Sequence, residues 1–205
     1  MPKIDPKVKV NFGFRKSENE VVKLKDKGET ITLRIADYPG YYGQHWIDDE
    51  KKYVPCARVN SSDPTNPDDC DYCNRYQSGE DELRPMIKFI FPAINRKTGK
   101  AIFFETSQMV WKEMESQESK GIKIFDYDWL IERTENKPKY YEVTRLEKDE
   151  LNTEQSKAYK EAKELDVESL ITFKLGYKKP AQKENIIQDE LLDEKALSEI
   201  DEQSE

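Results

Sequence analysis

The sequence predicts a mainly β (α+β) protein. Short segments that alternate polar and apolar side chains recur between turns, and helix-forming segments come mainly late in the chain. The chain has 205 residues, of which 36% are hydrophobic, and this suffices for one domain of ordinary size with appendages. It has no apolar run long enough to cross a bilayer and no secretory signal pattern, so we expect a cytoplasmic protein with reduced thiols.

The first long strand is predicted at residues 29–36, where β-branched and polar residues alternate after a Lys-Gly turn. Alternation places Thr32 and Arg34 on the face opposite the apolar residues of this segment. We therefore expect Arg34 to be displayed on an open face of the sheet.

Two strand pairs and two helices are predicted after this strand. Two aromatic strands around a basic, Gly-bearing turn predict one hairpin, and a turn that contains Asn and Pro predicts the other. Ser107 can cap a helix through Ser116, and Thr153 can cap a helix within residues 150–165. The strands of the hairpins are residues 86–92 with 101–106 and residues 128–133 with 139–145.

The only histidine and the only three cysteines of the chain, His45, Cys56, Cys70 and Cys73, fall within 29 consecutive residues. One imidazole nitrogen and three thiolates form a complete tetrahedral ligand set for zinc, and the Cys-x-x-Cys step can hold one ion from a tight turn. A structural zinc site has four protein ligands, whereas a catalytic one keeps a position for water. The set therefore predicts one structural Zn²⁺ ion.

The segment between the second and third ligands supports this prediction. Residues 58–69 are rich in Ser, Asp, Asn and Pro, turn formers that cannot order themselves by burying apolar surface. Two alternatives remain open, namely three separate reduced cysteines, or one disulfide with a free thiol. An odd number of cysteines suits a disulfide framework poorly.

Five or so short strands with intervening turns are typical of a small closed β-barrel, most simply the five-stranded OB-fold barrel. In this interpretation the four zinc ligands belong to a zinc-stabilised insertion in the barrel, and the helices are peripheral. The predicted organisation is a basic N-terminal arm (1–28), an OB-fold core (29–182) with a zinc subdomain at about 41–80, and an acidic C-terminal tail (183–205).

The net charge of −8 is unevenly distributed along the chain. Residues 183–205 carry nine acidic side chains and two lysines, so the rest of the chain is close to neutral and retains 32 lysines and arginines. We expect this tail to occupy a basic groove as a tethered polyanion when no strand is bound, and to be expelled when a strand binds, which leaves it free for partner proteins. The alternative is a disordered, solubilising end.

Basic and aromatic residues interleave along the predicted strands and beside the zinc ligands. Single-stranded nucleic acid exposes a charged backbone and unstacked bases, so a groove with both residue types predicts binding with little sequence preference. For each aromatic residue, a place in the core is the competing interpretation. The candidate nucleic-acid-binding residues are Arg34, Lys51, Lys52, Tyr53, Lys88, Arg96, Lys97, Lys100, Phe104, Arg133, Lys139 and Tyr140.

Between about residues 30 and 145, the chain resembles the zinc-containing single-stranded DNA-binding proteins of T-even and related bacteriophages. The resemblance lies in the order His, Cys and Cys-x-x-Cys, followed by the strand after Gly99-Lys100 and the helix with Val110-Trp111-Lys112. It implies an OB-fold with a zinc subdomain, located in the host cell cytoplasm. It also implies cooperative coating of single-stranded DNA during replication, recombination and repair, with self-association along the strand and an acidic C-terminus that recruits replication or recombination proteins.

The sequence does not predict an enzyme. Zinc deaminases place a glutamate two residues after the histidine ligand, but here Ile47 occupies that position, and no second histidine offers a general base. We therefore expect no catalytic residues. The alternative function is a zinc-stabilised protein-interaction adaptor that does not bind nucleic acid.

Overall fold

The computed structural model describes residues 19–63, 68–135 and 139–176, which are mainly β, as predicted. The strands of these residues are β1 (Val21–Val22), β2 (Thr30–Ile35), β3 (Gly40–Ile47), β4 (Lys52–Pro55), β5 (Met86–Asn95), β6 (Lys100–Ser107), β7 (Asp128–Arg133) and β8 (Tyr141–Arg145). The helices are α1 (Asp71–Gln77), α2 (Gln108–Glu118), α3 (Thr153–Lys163) and α4 (Val167–Lys174). None of these described helices has the length and apolarity needed to traverse a bilayer.

The strands form one mixed sheet that branches at β5. The main path runs β1-β6-β5-β2-β7-β8, and β3 pairs with both β5 and β4. β6 pairs along most of β5, while the opposite edge of β5 is shared, because residues 86–90 pair with β3 and residues 93–95 pair with β2. β1 is parallel to β6, and the other pairs are antiparallel. The long strand β5 thus joins the β3–β4 hairpin, which carries the histidine, to the rest of the sheet.

The predicted closed five-stranded barrel is not found. Among the described residues the sheet has eight strands, and its path ends at β1 and β8, which do not pair with each other. Both predicted hairpins are present, as β5–β6 and β7–β8. Polar and apolar alternation identifies a strand and its buried face, but it does not specify which strand pairs with each edge. Closure was therefore beyond what the pattern could establish.

The main hydrophobic core lies on one face of the sheet, where α2 packs against it. Val110 and Met114 of α2 are fully buried there, as their helical spacing predicts. The strands contribute the apolar members of their alternating patterns, which are Ile31, Leu33, Ile35, Phe89, Phe91, Ala93, Ile102, Phe104, Trp129 and Ile131. On the opposite face a smaller cluster joins Ala158 and Ala162 of α3 to Ile94 and Ala101.

The helix ends show how far local signals were sufficient. α2 begins directly after Ser107, as predicted, although the Ser107 side chain makes no capping hydrogen bond. α3 is capped by Asn152 rather than by the predicted Thr153. The Asn152 Oδ1 accepts from the Gln155 backbone N–H at 2.9 Å, and the Gln155 Oε1 accepts from the Asn152 N–H at 3.3 Å. This reciprocal capping box requires a Gln or Glu three residues after the cap, and only Asn152 has one.

By contacts between residues, the chain divides into two compact units, Met1–Ile171 and Thr172–Glu205, and of the second the structure describes residues 172–176. Part of the predicted arm belongs to the sheet, since β1 pairs with β6 and Leu24 is buried in the main core. The predicted acidic tail lies outside the described residues.

Candidate metal centre and nucleic-acid interface

The four predicted metal ligands meet in one buried cluster, with their donor atoms all within 4.8 Å of one another. His45 Nε2 lies 3.5 Å from Cys70 Sγ and 3.6 Å from Cys73 Sγ. Cys56 Sγ lies 4.0 Å from Cys70 Sγ and 3.4 Å from Cys73 Sγ. None of the four side chains is more than 4% exposed. These residues can hold a metal ion.

The distances fit a tetrahedral zinc ion better than they fit the alternatives. Zn–S bonds of about 2.3 Å and Zn–N bonds of about 2.0–2.1 Å place tetrahedral sulfurs roughly 3.7 Å apart, and sulfur and nitrogen roughly 3.5 Å apart. A disulfide requires about 2.05 Å between sulfurs. The three cysteines are free and clustered, so neither a disulfide nor separate thiols describe this structure.

Each ligand is positioned by a different local structure. His45 lies within β3, opposite Val54 of β4. Cys56 follows β4 directly, in a turn where the Asn60 backbone N–H donates to the Cys56 carbonyl at 3.0 Å. Cys70 is the N-cap of α1, and Cys73 lies in its first turn. The β3–β4 hairpin and α1 therefore hold the two ends of the segment between them, residues 56–70, which we call the metal-binding segment.

Outer contacts orient the ligands toward the centre of the cluster. His45 Nδ1 lies 2.6 Å from the Leu83 carbonyl oxygen, in a 3₁₀ turn at Asp81–Leu83. Because a carbonyl can only accept, Nδ1 carries the proton and Nε2 presents its lone pair to the sulfurs, as metal-binding histidines require. The Val59 backbone N–H donates to Cys56 Sγ at 3.4 Å.

The thiols respond unequally to their surroundings. Burial raises the pKa of Cys56, and burial followed by contact with Cys56 raises the pKa of Cys73 to about 12. For Cys70, burial acts in the same direction, but backbone N–H groups of Cys73 and Ala57 outweigh it and lower the pKa to about 7. Three thiolates so close together repel one another, and a divalent cation removes this repulsion.

The metal-binding segment docks on β3 at a glycine. The Gly43 N–H donates to Asn60 Oδ1 at 2.7 Å, and Asn60 Nδ2 donates to the Gly43 carbonyl at 2.8 Å. Val59 lies so close that a Cβ at position 43 would be 2.4 Å from the Val59 Cβ. Only glycine allows this approach.

Gly43→Ala is therefore expected to displace Val59 and Asn60 from β3, to lower the free energy of unfolding by about 1–3 kcal/mol and to speed zinc release. Urea unfolding and transfer of zinc to a chromogenic chelator measure the two effects. As a matched control, Gly43→Ala combined with Val59→Gly should recover part of both. Unchanged zinc release in the single variant would contradict the docking role of Gly43.

Two predicted nucleic-acid-binding residues, Phe104 and Arg34, are buried, and the side chain of a third, Arg96, is largely covered, so the open face predicted for Arg34 is wrong. Phe104 is fully buried in the main core. Arg34 and Arg96, with side chains 8% and 10% exposed, share the Asp128 carboxylate, at 2.8 Å from Arg34 Nε to Oδ1 and 2.9 Å from Arg96 Nε to Oδ2. Arg34 also donates to the Asp149 carbonyl at 2.8 Å. The strand pattern gave the correct face, but the segment before α3 covers it.

Arg96 ties this ion-pair network to α3. It pairs with the Asp149 carboxylate and donates to Gln155 Oε1 at 2.6 Å, in the capping box of α3. Two arginines face two carboxylates, so little positive charge is left for a polyanion.

Lys88 lies in a group that we call the cationic cluster: Lys23, Lys88 and Arg133. Lys88 is partly buried on β5, and Tyr42 lies opposite it on β3. Lys23 Nζ is 2.6 Å from an oxygen of Glu105, which is buried. Burial lowers the pKa of Lys88, the Glu105 carboxylate opposes this, and the charges of Lys23 and Arg133 lower it further. Two cations and one carboxylate therefore act on Lys88, so the three cations form one electrostatic group.

Exposed tyrosines lie beside Arg133 and near Tyr42. The Arg133 guanidinium lies 5.1 Å from the ring centre of Tyr140 and 4.8 Å from that of Tyr141. Tyr53 is 54% exposed and packs on Trp46 with ring centres 4.9 Å apart. Burial raises the pKa of Tyr42, which hydrogen-bonds Glu105, and Tyr53 is close enough to contribute to that shift.

The other predicted basic residues are exposed but differ in position. Lys51 and Lys52 lie at the tip of the β3–β4 hairpin beside Tyr53, and each pairs with a nearby carboxylate, of Asp48 or Glu50. Such exposed pairs contribute about 0–1 kcal/mol and can be exchanged for phosphate contacts. Lys139 is exposed next to Tyr140.

Lys97 and Lys100 are exposed at the turn between β5 and β6. Lys88 lies near the opposite end of β5 from Asn95, about 23 Å away at strand spacing. The structure therefore does not bring these two lysines together with the cationic cluster.

Sequence reasoning missed two members of this region, Lys23 and Tyr42. Alternation along residues 21–24 was the available signal for Lys23, because it sets Lys23 opposite its core-facing neighbours Val22 and Leu24. It also missed Tyr38 and Tyr41, each 53% exposed, beside a Pro-Gly pair. Large exposed rings can be recognised only once the core has been located.

No protein-family model, no curated protein and no solved structure matches this chain.

Proposed function

We propose that this protein binds single-stranded DNA through the cationic cluster and its flanking tyrosines, on a scaffold held together by one structural zinc ion. It would coat unpaired strands during replication, recombination and repair, in keeping with the resemblance noted in its sequence. The acidic tail would recruit partner proteins. In this proposal the protein has no catalytic role, since the four side chains that could hold the ion would leave no position for a water molecule.

One observation carries the proposal. Lys23 and Arg133 both lie near enough to Lys88 for their charges to lower its pKa, and exposed aromatic rings lie next to Arg133 and near Tyr42, opposite Lys88. Phosphates would pair with these cations, and unstacked bases would lie on Tyr53 and Tyr140. Binding of this kind depends on backbone charge and ring stacking, so it would have little sequence preference.

In this proposal the zinc centre positions the DNA-binding residues relative to one another. The β3–β4 hairpin carries both His45 and Tyr53, and Tyr53 pairs across the strands with Trp46. An ion held by His45, Cys56 and the first turn of α1 would fix the hairpin relative to β5, which carries Lys88. The metal would therefore set the distance between a stacking ring and a phosphate contact.

Tyr53→Ala is expected to weaken binding of oligo(dT) by roughly 5- to 150-fold, the range for loss of one stacked base at about 1–3 kcal/mol. Quenching of tryptophan emission, titrated at two salt concentrations, measures the affinity. Lys88→Gln should reduce the dependence of log affinity on log salt concentration by about 0.7, the value for one phosphate contact with a single strand.

The matched control is Tyr41→Ala, because Tyr41 is equally exposed but points to the opposite face of β3 from Tyr42. Its affinity for oligo(dT) should equal that of the unmodified protein. Wild-type protein that shows no saturable, salt-sensitive quenching would contradict the proposal and favour the adaptor function.

A further inference from the structure

A second aromatic surface lies away from the cationic cluster. It is a cavity of about 360 Å³, which we call the aromatic groove, formed where β3 and β5 meet the start of α2. Its lining residues are Tyr38, Pro39, Tyr41, Ile87, Phe89, Gln108 and Trp111. Phe89 and Trp111 form the floor with ring centres 6.3 Å apart, and Tyr41 lies 5.9 Å from Phe89. Four rings therefore surround one opening.

Tyr38 is held by a hydrogen bond and two ring contacts although half of it is exposed. Its hydroxyl donates to Glu118 Oε1 at 2.8 Å. Its ring stands nearly perpendicular to those of Phe125 and Trp111, with centres 5.0 and 6.1 Å away. Fixing an exposed aromatic ring in advance lowers the entropy lost when a ligand binds to it. The groove is thus preorganised rather than a chance exposure of apolar surface.

The charged side chains that act on Tyr38 at the rim of the groove are acidic. The lining residues include no lysine or arginine among the described part of the chain. The hydrogen bond to Glu118 and the carboxylates of Glu118 and Asp37 all raise the pKa of Tyr38. A phosphate backbone would be repelled here, whereas a cation would be attracted.

Aromatic rings with carboxylates at their rim attract cations in a specific way. The face of each ring is electron-rich, and a guanidinium among several rings gains cation–π energy while its N–H groups reach a carboxylate. Apolar neighbours of such an arginine would cover Ile87 and Pro39. An isolated base could stack on the same rings, but its attached phosphates would face Asp37 and Glu118.

We propose that the aromatic groove binds an arginine side chain within an apolar segment of a partner protein. The proposal is independent of DNA binding, because Tyr41 in the groove and Tyr42 at the cationic cluster point to opposite faces of β3. The protein would then hold a strand on one face and a partner on the other.

The test uses the full chain and two synthetic peptides of leucine and glycine, one with a central arginine and one with citrulline, its neutral isostere. The three tryptophans each give one indole N–H signal in a nitrogen-edited NMR spectrum, and the spectrum of Trp111→Phe assigns the groove signal. The arginine peptide should shift the Trp111 signal saturably, and the citrulline peptide should bind at least tenfold more weakly.

Variants separate the contacts within the groove. Tyr41→Ala and Glu118→Gln should each weaken binding of the arginine peptide about tenfold, whereas Tyr53→Ala should leave it unchanged. Equal binding of the two peptides, or no shift with either, would overturn the proposal. A Trp111 shift with oligo(dT) would assign the groove to nucleic acid instead. A shift with protein concentration alone would assign it to a second copy of the chain.

Discussion

Replacing Cys73 with serine is expected to abolish stoichiometric zinc binding and to lower the free energy of unfolding by at least about 5 kcal/mol. Structural zinc ions contribute on the order of 10–16 kcal/mol of apparent binding energy in small zinc domains. Here the ion would join the β3–β4 hairpin to α1 across a segment, residues 58–69, that is rich in Ser, Asp, Asn and Pro. Elemental analysis and urea unfolding at fixed free zinc concentration measure the two effects.

A control variant separates loss of the ligand from a general effect of substitution in this segment. Asp71→Asn changes an exposed side chain directly after Cys70 and should keep one zinc ion per chain. A purified protein that is fully folded without metal, or a Cys73→Ser variant that keeps both zinc and stability, would contradict the structural role.

The pKa values of the cysteine ligands predict how zinc binding depends on pH. Zinc binds thiolates, and the raised pKa values of Cys56 and Cys73 mean that protons compete with the ion more strongly than at ordinary thiols. Zinc affinity should therefore rise with pH, and acidification should release the ion. Binding should also release protons, since at least Cys73 would be protonated at neutral pH without metal.

The second large effect is expected at Asp128. Asp128→Ala removes the carboxylate that Arg34 and Arg96 share, and it leaves two buried guanidinium groups without their main partner. Breaking a buried pair in this way costs about 3–5 kcal/mol. Urea unfolding of the zinc-loaded protein measures the change, and loss of helical circular dichroism would report release of α3.

The matched control is Asp126→Asn, two residues away. Asp126 forms an exposed pair with Lys148 at 3.2 Å, so its loss should change stability by no more than about 1 kcal/mol. Arg34→Gln and Arg96→Gln should lower stability without changing the affinity for oligo(dT) under folded conditions. Weaker DNA binding at unchanged stability would return these arginines to the candidate nucleic-acid interface and contradict the structural assignment.

The metal-ligand set could be predicted from residue identity because its chemistry needs no topology. One histidine and three cysteines with a Cys-x-x-Cys step constitute a zinc ligand set wherever the chain brings them together. The β5–β6 hairpin was equally local, since alternation and a Gly-bearing turn specify it within 22 residues. Both predictions depended on short-range signals. The structure confirms them, because the four ligands lie together and β5 pairs with β6.

The candidate interface was predicted less well. Arg34 and Arg96 look like phosphate contacts in sequence because each is a basic residue on the polar side of a strand or turn. Their burial depends on α3 and the segment before it, more than 50 residues later in the chain. Conversely, Lys23 joins Lys88 and Arg133 only because β1 pairs with β6.

The sequence by itself determined the residue chemistry: a complete set of metal donors, the alternating strands and the overall excess of acidic residues at one end. Only the tertiary structure decided which charges neutralise each other and which remain exposed. It also decided that the described strands form an open sheet instead of the predicted closed barrel. The physical reason is the distance along the chain over which each property is set. Donor chemistry and strand periodicity act over a few residues, whereas burial and charge pairing depend on contacts between segments far apart in the chain.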